Sequence, residues 1–374
     1  MANQDEDKNT SRTILLLLVT ALLAVASVVL GFYLLRNTLA DSFAFIYFAR
    51  GTELSRQDAA KLEQDLKSDL GSFADRIELL AFYSFKTYKD GLTPEDLANR
   101  REHILWIIEH EPVSNFASTH EAAFDPDGRD PEGLQQGQKL WLEHVQARPT
   151  SARILYNAGQ FFFWANDWTQ SEELLERAYA IEPKNHDIDS SLAGLYWRDA
   201  RHSLTHDQVT SMAAKSLKVF EQALSDTHDP RNRLNDLPEA AQAAFEAGEY
   251  DRAAAYSREG LSLAERPAYV DSNADAIHYG NIVLGRIAVR QGNVATASAY
   301  LLKAATIKGN PHLDTFGPNM MLAKELLEKG ERKSVVEYFD RCGKFWKDDD
   351  GKLSQWRSSV LSGSNPDFGA NLRY

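Results

Sequence analysis

Ten histidines and 54 acidic residues in 374 positions offer many chance constellations, so the spacing of each candidate decides whether it can do chemistry. "HILWIIEH" sets His103 and His110 seven residues apart on similar helical faces, but it lacks the H-E-x-x-H spacing that joins two metal ligands to a general base. "DPDGRDPEG" gathers Asp125, Asp127, Asp130 and Glu132, yet Gly128 comes too early for a twelve-residue calcium loop, and the segment reads as a solvated acidic turn. His278, in "DAIHYGN", stands at a helix start and reads as a capping or core residue. Cys342 is the only cysteine, which excludes an intrachain disulfide and leaves a buried structural thiol as the reading. There is no phosphate-cradling G-x-x-x-x-G-K-[ST] and no G-x-S-x-G nucleophile elbow. No catalytic residue, cofactor or metal ligand is therefore assigned, and an enzyme is the minor reading.

The elements that could position a site begin with "ILLLLVTALLAVASVVLGFYLL", Ile14–Leu35, which carries no charge over 22 residues. As a helix it is about 33 Å long, enough to cross the roughly 30 Å hydrocarbon layer of a bilayer. The run is long for a cleavable signal peptide, although "TLA" ending at Ala40 has the small-x-small form of a cleavage site. An uncleaved transmembrane anchor is the expectation, and a secreted, signal-peptide-bearing protein the lesser alternative. Lys8 and Arg12 precede the run while Arg36 and Arg50 follow it, so positive charge hardly fixes the orientation. The formal charge of −13 and the absence of a basic stretch interleaved with aromatics argue against nucleic acid as a partner.

Beyond Asp41 the chain is rich in helix formers, with apolar residues at spacings of three and four and frequent Gly, Pro, Asn and Asp breaks. An all-α fold is expected. A polar tail (1–13) and the anchor (14–35) lead to an N-terminal helical region (42–117), which includes a helix pair around Asp90–Gly91. The stretch 118–137 is the least regular and reads as a connecting loop. From 138 to 346 the chain turns periodic. Helical hairpins recur at Arg153–Pro183, Leu237–Pro267, Asn281–Pro311 and Asn319–Phe345, with Pro318 suited to a helix start. Gly248, Gly292 and Gly330 mark turns 44 and 38 residues apart. A fifth hairpin, Asp187–Ala223, is degenerate, with "RHSLTHDQVT" lengthening its turn. Residues 347–374 read as a capping helix and tail.

Leucine or an aromatic early in the first helix, a paired small residue such as Gly159 or Gly285, a turn glycine, and a small residue such as Ala178, Ala253 or Ala297 in the second helix resemble tetratricopeptide repeats. The chain is also similar to a group of bacterial repeat proteins without an established activity, through "HILWIIEHEP", "TFGPNM", "LLEKGE" and "NPDFGANLRY". The likeness covers most of the sequence after Asp41. It implies a TPR-like right-handed α-solenoid of helical hairpins behind a transmembrane helix, with protein or peptide binding on a concave face. Separately, the anchor reading makes this a single-pass membrane protein, expected in the bacterial inner membrane if the cell is bacterial, with a slight preference for the bulk on the periplasmic side.

Aromatics supply the binding candidates. "FFFWANDW" crowds five rings into eight residues, and a helix cannot turn all of them toward one core. Phe162 is expected to pack within its hairpin and the other rings against the units before and after it; the sharper alternative turns Trp164 or Trp168 toward a groove or another subunit. Tyr196 and Trp197 stand in the next helix. Trp356, Phe368 and Tyr374 near the C-terminus either cap the last hairpin or occupy the groove. The leading function is a membrane-tethered scaffold that binds a protein or peptide without catalysing a reaction. The alternative is an auxiliary structural subunit that uses its repeats as a lateral interface in a membrane complex. The oligomeric state is open.

Overall fold

Side-chain caps and left-handed turn residues punctuate this chain into helices, and the computed structural model shows both at work. It describes Leu39 and residues 41–68, 72–89, 91–203 and 205–373. The expected anchor, residues 14–35, and Tyr374 lie outside the described residues. Among the described residues all regular structure is helical, 17 α-helices and four short 3-10 turns, and no helix is long and apolar enough to cross a membrane.

The chain divides into two compact units, residues 1–177 and 178–374. In the first, α1 (Ala44–Thr52), α2 (Arg56–Ser68), α3 (Phe73–Lys89) and α4 (Pro94–His110) are followed by α5 (Pro131–Ala147), α6 (Ala152–Trp164) and the greater part of α7 (Trp168–Ile181). Thr93 and Asp96 form a reciprocal capping box at the start of α4, and Pro94 sits at the first turn, where its missing donor costs nothing. Ile77, Leu80, Ile104 and Ile107 are fully buried along α3 and α4. The 118–137 stretch is less irregular than expected. Asp130 accepts from the Gly133 amide and Pro131 opens α5, so the irregular part ends there, and two 3-10 turns order Phe116–Ala122. The expected start of the periodic array at 138 is likewise not a structural border. Asn157 of α6 donates to the Pro112 and Ser114 carbonyls at 2.9 and 2.8 Å, tying the first hairpin to the segment after α4.

The second unit holds α8 (His186–His202) and α9 (His206–Asp226), α10 (Pro230–Glu246) and α11 (Tyr250–Ala264), and α12 (Ala274–Arg290) and α13 (Val294–Ala304). A short α14 (Pro311–Phe316) follows, then α15 (Met321–Glu328), α16 (Lys333–Cys342) and α17 (Lys352–Leu361). Four hairpin turns, counting the α6–α7 turn of the first unit, share one device. Asn166, Gly248, Gly292 and Gly330 adopt φ of 60°, 83°, 75° and 80°. In each, the next amide reaches back five residues: Asp167 to Phe162, Glu249 to Ala244, Asn293 to Ala288 and Glu331 to Leu326, at 2.8–2.9 Å. This is the Schellman closure, which satisfies carbonyls the helix end leaves open and favours glycine because of its left-handed φ.

The α8–α9 hairpin is not degenerate in its turn. α8 ends at His202 and α9 begins at His206, because the Thr205–Gln208 capping box starts α9 inside the segment that reads as loop in sequence. The next hairpin begins earlier than Leu237, since α10 starts at Pro230 and runs through Pro238. Pro318 does not open a helix; Pro311 opens α14 and Met321 begins α15. Gly285 allows α12 to approach α15, because a Cβ there would meet Leu322 Cδ2 at 2.2 Å.

The end of the second unit explains two sequence motifs together. In "NPDFGANLRY", Asn371 Nδ2 donates to the carbonyls of Phe316 and Pro318 at 3.0 and 3.1 Å, and its own carbonyl accepts from Met320 at 2.8 Å. "TFGPNM" is thus the loop that the C-terminal segment straps down. Trp356 and Phe368 are 5% and 3% exposed, inside a cluster with Phe339 and Trp346. They belong to the core of the last hairpin, which takes them off the list of accessible binding residues.

Candidate functional site

Successive first helices of the second unit bring the ends of α8, α10 and α12 and the start of α15 around one cavity. Trp197 and Arg201 lie one turn apart on α8, as do Gln242 and Glu246 on α10, so each pair shares a helix face. With Arg286 of α12, Met321 of α15 and the strapped segment Leu372–Arg373 they line a cavity of about 210 Å³. That is smaller than the roughly 300–1,000 Å³ of small-molecule sites. It suits one inserted side chain.

Arg286 fixes this wall. Its guanidinium donates to Glu246 at 2.6 Å and to Glu325 at 2.7 Å, joining α12 to α10 and α15, and stacks over the Phe245 ring at 4.1 Å. Burial works against its charge, but the two carboxylates outweigh burial and hold the guanidinium above its ordinary value. Burial pushes the Glu325 carboxyl up despite Arg286. Trp197 is 4% exposed, and its indole N–H has no acceptor. Such an enclosed, unsatisfied donor costs about 1–3 kcal/mol, a penalty that an incoming carbonyl would relieve. The Arg201 guanidinium stands 5.8 Å from the Trp197 ring.

The other expected binding residues separate. Tyr196 is buried, with the Lys215 ammonium 3.7 Å above its ring, and faces away from service as a free anchor. Trp164 is half-buried; its N–H reaches the Ser118 carbonyl at 3.3 Å and its ring meets His120 edge-on. Trp168 is half-buried and packs edge-on against Phe163. Phe162 is 2% exposed. Among the described residues, Trp197 is the aromatic candidate that lines the cavity. Arg201, Arg286 and Met321 are not singled out by the sequence. The available signal for Arg286 is its place after Gly285, at the close approach of two helices, with carboxylates one repeat away on each side.

The constellations considered for chemistry resolve into structural bonds. His103 is buried; its Nδ1 accepts from Arg76 at 2.8 Å, so Nε2–H donates to Glu63 at 2.9 Å. Burial opposes the Glu63 charge, but hydrogen bonds from His103 and Tyr83 outweigh it and hold the carboxyl below its ordinary range. His110 is exposed and stacks on Trp106. The two histidines therefore do not converge. The acidic turn is spent on arginines and a cap: Asp125 on His120, Arg100 and Arg129, Asp130 on Arg101 and the start of α5, and Glu132 on Arg101. His278 is fully buried between the Ala304 carbonyl and the Asn319 amide, both at 3.0 Å, which requires Nδ1–H and a bare Nε2. Burial pushes it down to about 4, so it stays neutral. Among the described residues, no three His, Cys, Asp or Glu side chains assemble as a metal cage.

Comparison of the chain with protein-family models and with curated proteins gives no match.

Proposed function

We propose that this is a membrane-tethered, TPR-like repeat protein that binds a polypeptide in the cavity at the ends of α8, α10 and α12 and catalyses no reaction. The observation that carries the reading is Trp197, enclosed at the cavity with an indole N–H that lacks an acceptor. Met321 and Leu372 offer apolar surface beside it, while Arg201, Gln242 and Arg373 offer donors for backbone carbonyls or carboxylates. An extended chain that buries one side chain among them and offers a carbonyl to Trp197 satisfies both demands. Buried aromatic and arginine anchors of this kind concentrate binding energy in few residues. An array of hairpins stacked as a solenoid would extend the surface beyond this one cavity. A membrane tether adds effective concentration, so a weak groove suffices.

The reading is tested by isolating the protein from solubilised native membranes and identifying stoichiometric partners, with Trp197→Phe alongside. The variant keeps the ring but loses the N–H. Partner recovery should fall about fivefold to tenfold, the effect of about 1 kcal/mol or slightly more. Equal recovery by both forms, with the fold intact, counts against this site.

A further inference from the structure

Helix α1 is held rigidly on one side and left bare on the other. Its inner side carries Gly51, where a Cβ would come within 2.2 Å of the Glu78 carbonyl, so α1 lies directly on the backbone of α3. Arg50 pairs with Glu78 at 3.1 Å. Just before the helix, the Asp41 carboxylate accepts from the Asn115 amide at 3.0 Å, the Asn115 side chain at 2.9 Å and the Phe116 amide at 3.2 Å. These contacts fix where the chain enters the first unit and which way α1 faces. The outward side is nonetheless apolar: Leu39, Phe43, Phe45 and Ile46 are 49%, 50%, 82% and 52% exposed, and Ala49 adjoins them. The Phe43 amide bonds to the Leu39 carbonyl at 3.0 Å, a helical link, so these residues follow one another at helical spacings.

An apolar side this concentrated needs a cover, and the sequence places one next to it. The uncharged run Ile14–Leu35 ends four residues before Leu39. Four residues reach at most about 14 Å fully extended and about 6 Å as helix. The polar interface on each side of a bilayer is about 5–8 Å deep. With the run in the membrane, Leu39 starts about 6–14 Å from its end, at or just beyond the interfacial layer, so the apolar side that follows is within reach of that layer. Arg36 and the exposed Arg50 flank the apolar residues with the charge that suits anionic headgroups.

We propose that the bare side of α1, from Leu39 to Ala49, docks into the bilayer interface and sets the first unit against the lipid surface, an inference that rests on the anchor reading. The apolar side chains sink to the headgroup–acyl boundary, as interfacial helices do. The contacts from Gly51, Glu78 and Asp41 make the docking stiff, so the membrane holds the unit in a defined orientation instead of letting it swing on a linker.

The test uses the full chain in vesicles of phosphatidylcholine and phosphatidylglycerol. Cys342 is 0% exposed, which permits spin labels at Phe45→Cys, at Ile46→Cys and at the exposed control Leu142→Cys without removing it. Power saturation with oxygen and with a water-soluble nickel chelate reports depth. The proposal expects oxygen-dominated labels at 45 and 46 and a nickel-dominated label at 142. Nickel access at 45 and 46 equal to that at 142 overturns it, as does spin–spin broadening at 45 that disappears on dilution with unlabelled protein, the sign that a second copy is the cover. An alkaline carbonate wash of the same vesicles judges the anchor separately. Retention with nickel-accessible labels sinks the docking and keeps the anchor, whereas release with oxygen-dominated labels beforehand sinks the anchor and keeps the docking.

Discussion

Replacing Trp356 with alanine should unfasten the last hairpin of the second unit and leave the first unit alone. Trp356 is 5% exposed, packs on Phe339, Trp346 and Phe368 at centroid distances of 6.1, 5.9 and 5.1 Å, and donates to the Asp367 carbonyl at 3.0 Å. A tryptophan buries up to about 250 Å², which at about 25 cal/mol per Å² bounds the lost transfer energy near 6 kcal/mol. Partial collapse of the site reduces this to the roughly 3–5 kcal/mol seen for buried aromatic truncations, the lost hydrogen bond included. A local loss of about 4 kcal/mol is nearly three powers of ten in amide exchange, limited by the opening energy of the hairpin itself. Hydrogen exchange read by mass spectrometry should show protection falling across Met321–Glu328 and Lys333–Cys342, with Ala152–Trp164 unchanged, because repeats depend mainly on their neighbours. Trp356→Phe should cost only about 1–2 kcal/mol. Equal loss in Ala152–Trp164, or unchanged protection in Met321–Cys342, would refute the reasoning.

Two buried titrating groups give opposite pH signatures. His278 falls to about 4 in the folded state, so the unfolded chain binds the extra proton between that value and about 6.5, and stability is complete above this window and lost as pH drops through it. The His278 contribution, about 2 kcal/mol lost from pH 7.5 to 5, should appear as the difference between the wild-type and His278→Gln urea titrations in detergent, because the opposite Asp189 contribution over the same range is common to both curves. Asp189 is 0% exposed with neither oxygen hydrogen-bonded, and burial, with Asp226 and Asp236 adding to it, pushes it up to about 7. The folded state therefore holds the extra proton, and stability declines from about pH 4 to pH 7; Asp189→Asn should raise stability by about 2–4 kcal/mol at pH 8 and change little at pH 4. Arg286→Met should cost about 3 kcal/mol in the same titrations by stranding Glu246 and Glu325, and adding Glu325→Gln should recover part of it.

The helical class and the hairpin turns were legible because they rest on local rules. A left-handed residue after a helix calls for glycine, and Gly248, Gly292 and Gly330 mark three of the turns, with Asn166 in the same role at the fourth. Boundaries were legible only where a local signal stood alone. The Thr205–Gln208 box hid inside a polar stretch that also reads as loop, and Pro238 sits within a helix that its type argues against. The site was the least legible part. Trp164, Trp197 and Trp356 are alike in sequence, and what separates them is tertiary: a carbonyl at Ser118 for the first, none for the second, and one at Asp367 for the third. Asn371 shows the same limit, since its partners lie more than fifty residues away in "TFGPNM".

Photo-crosslinking in native membranes tests the central claim most directly. Benzoyl-phenylalanine placed at Met321, in the wall of the cavity, is compared with the same probe at Leu361, which is 63% exposed and outside the cavity lining. A polypeptide held between α8, α10 and α12 predicts a discrete protein adduct from position 321 that weakens with Trp197→Phe, and none from position 361. Adducts from 361 alone, or an adduct at 321 indifferent to Trp197→Phe, would contradict it.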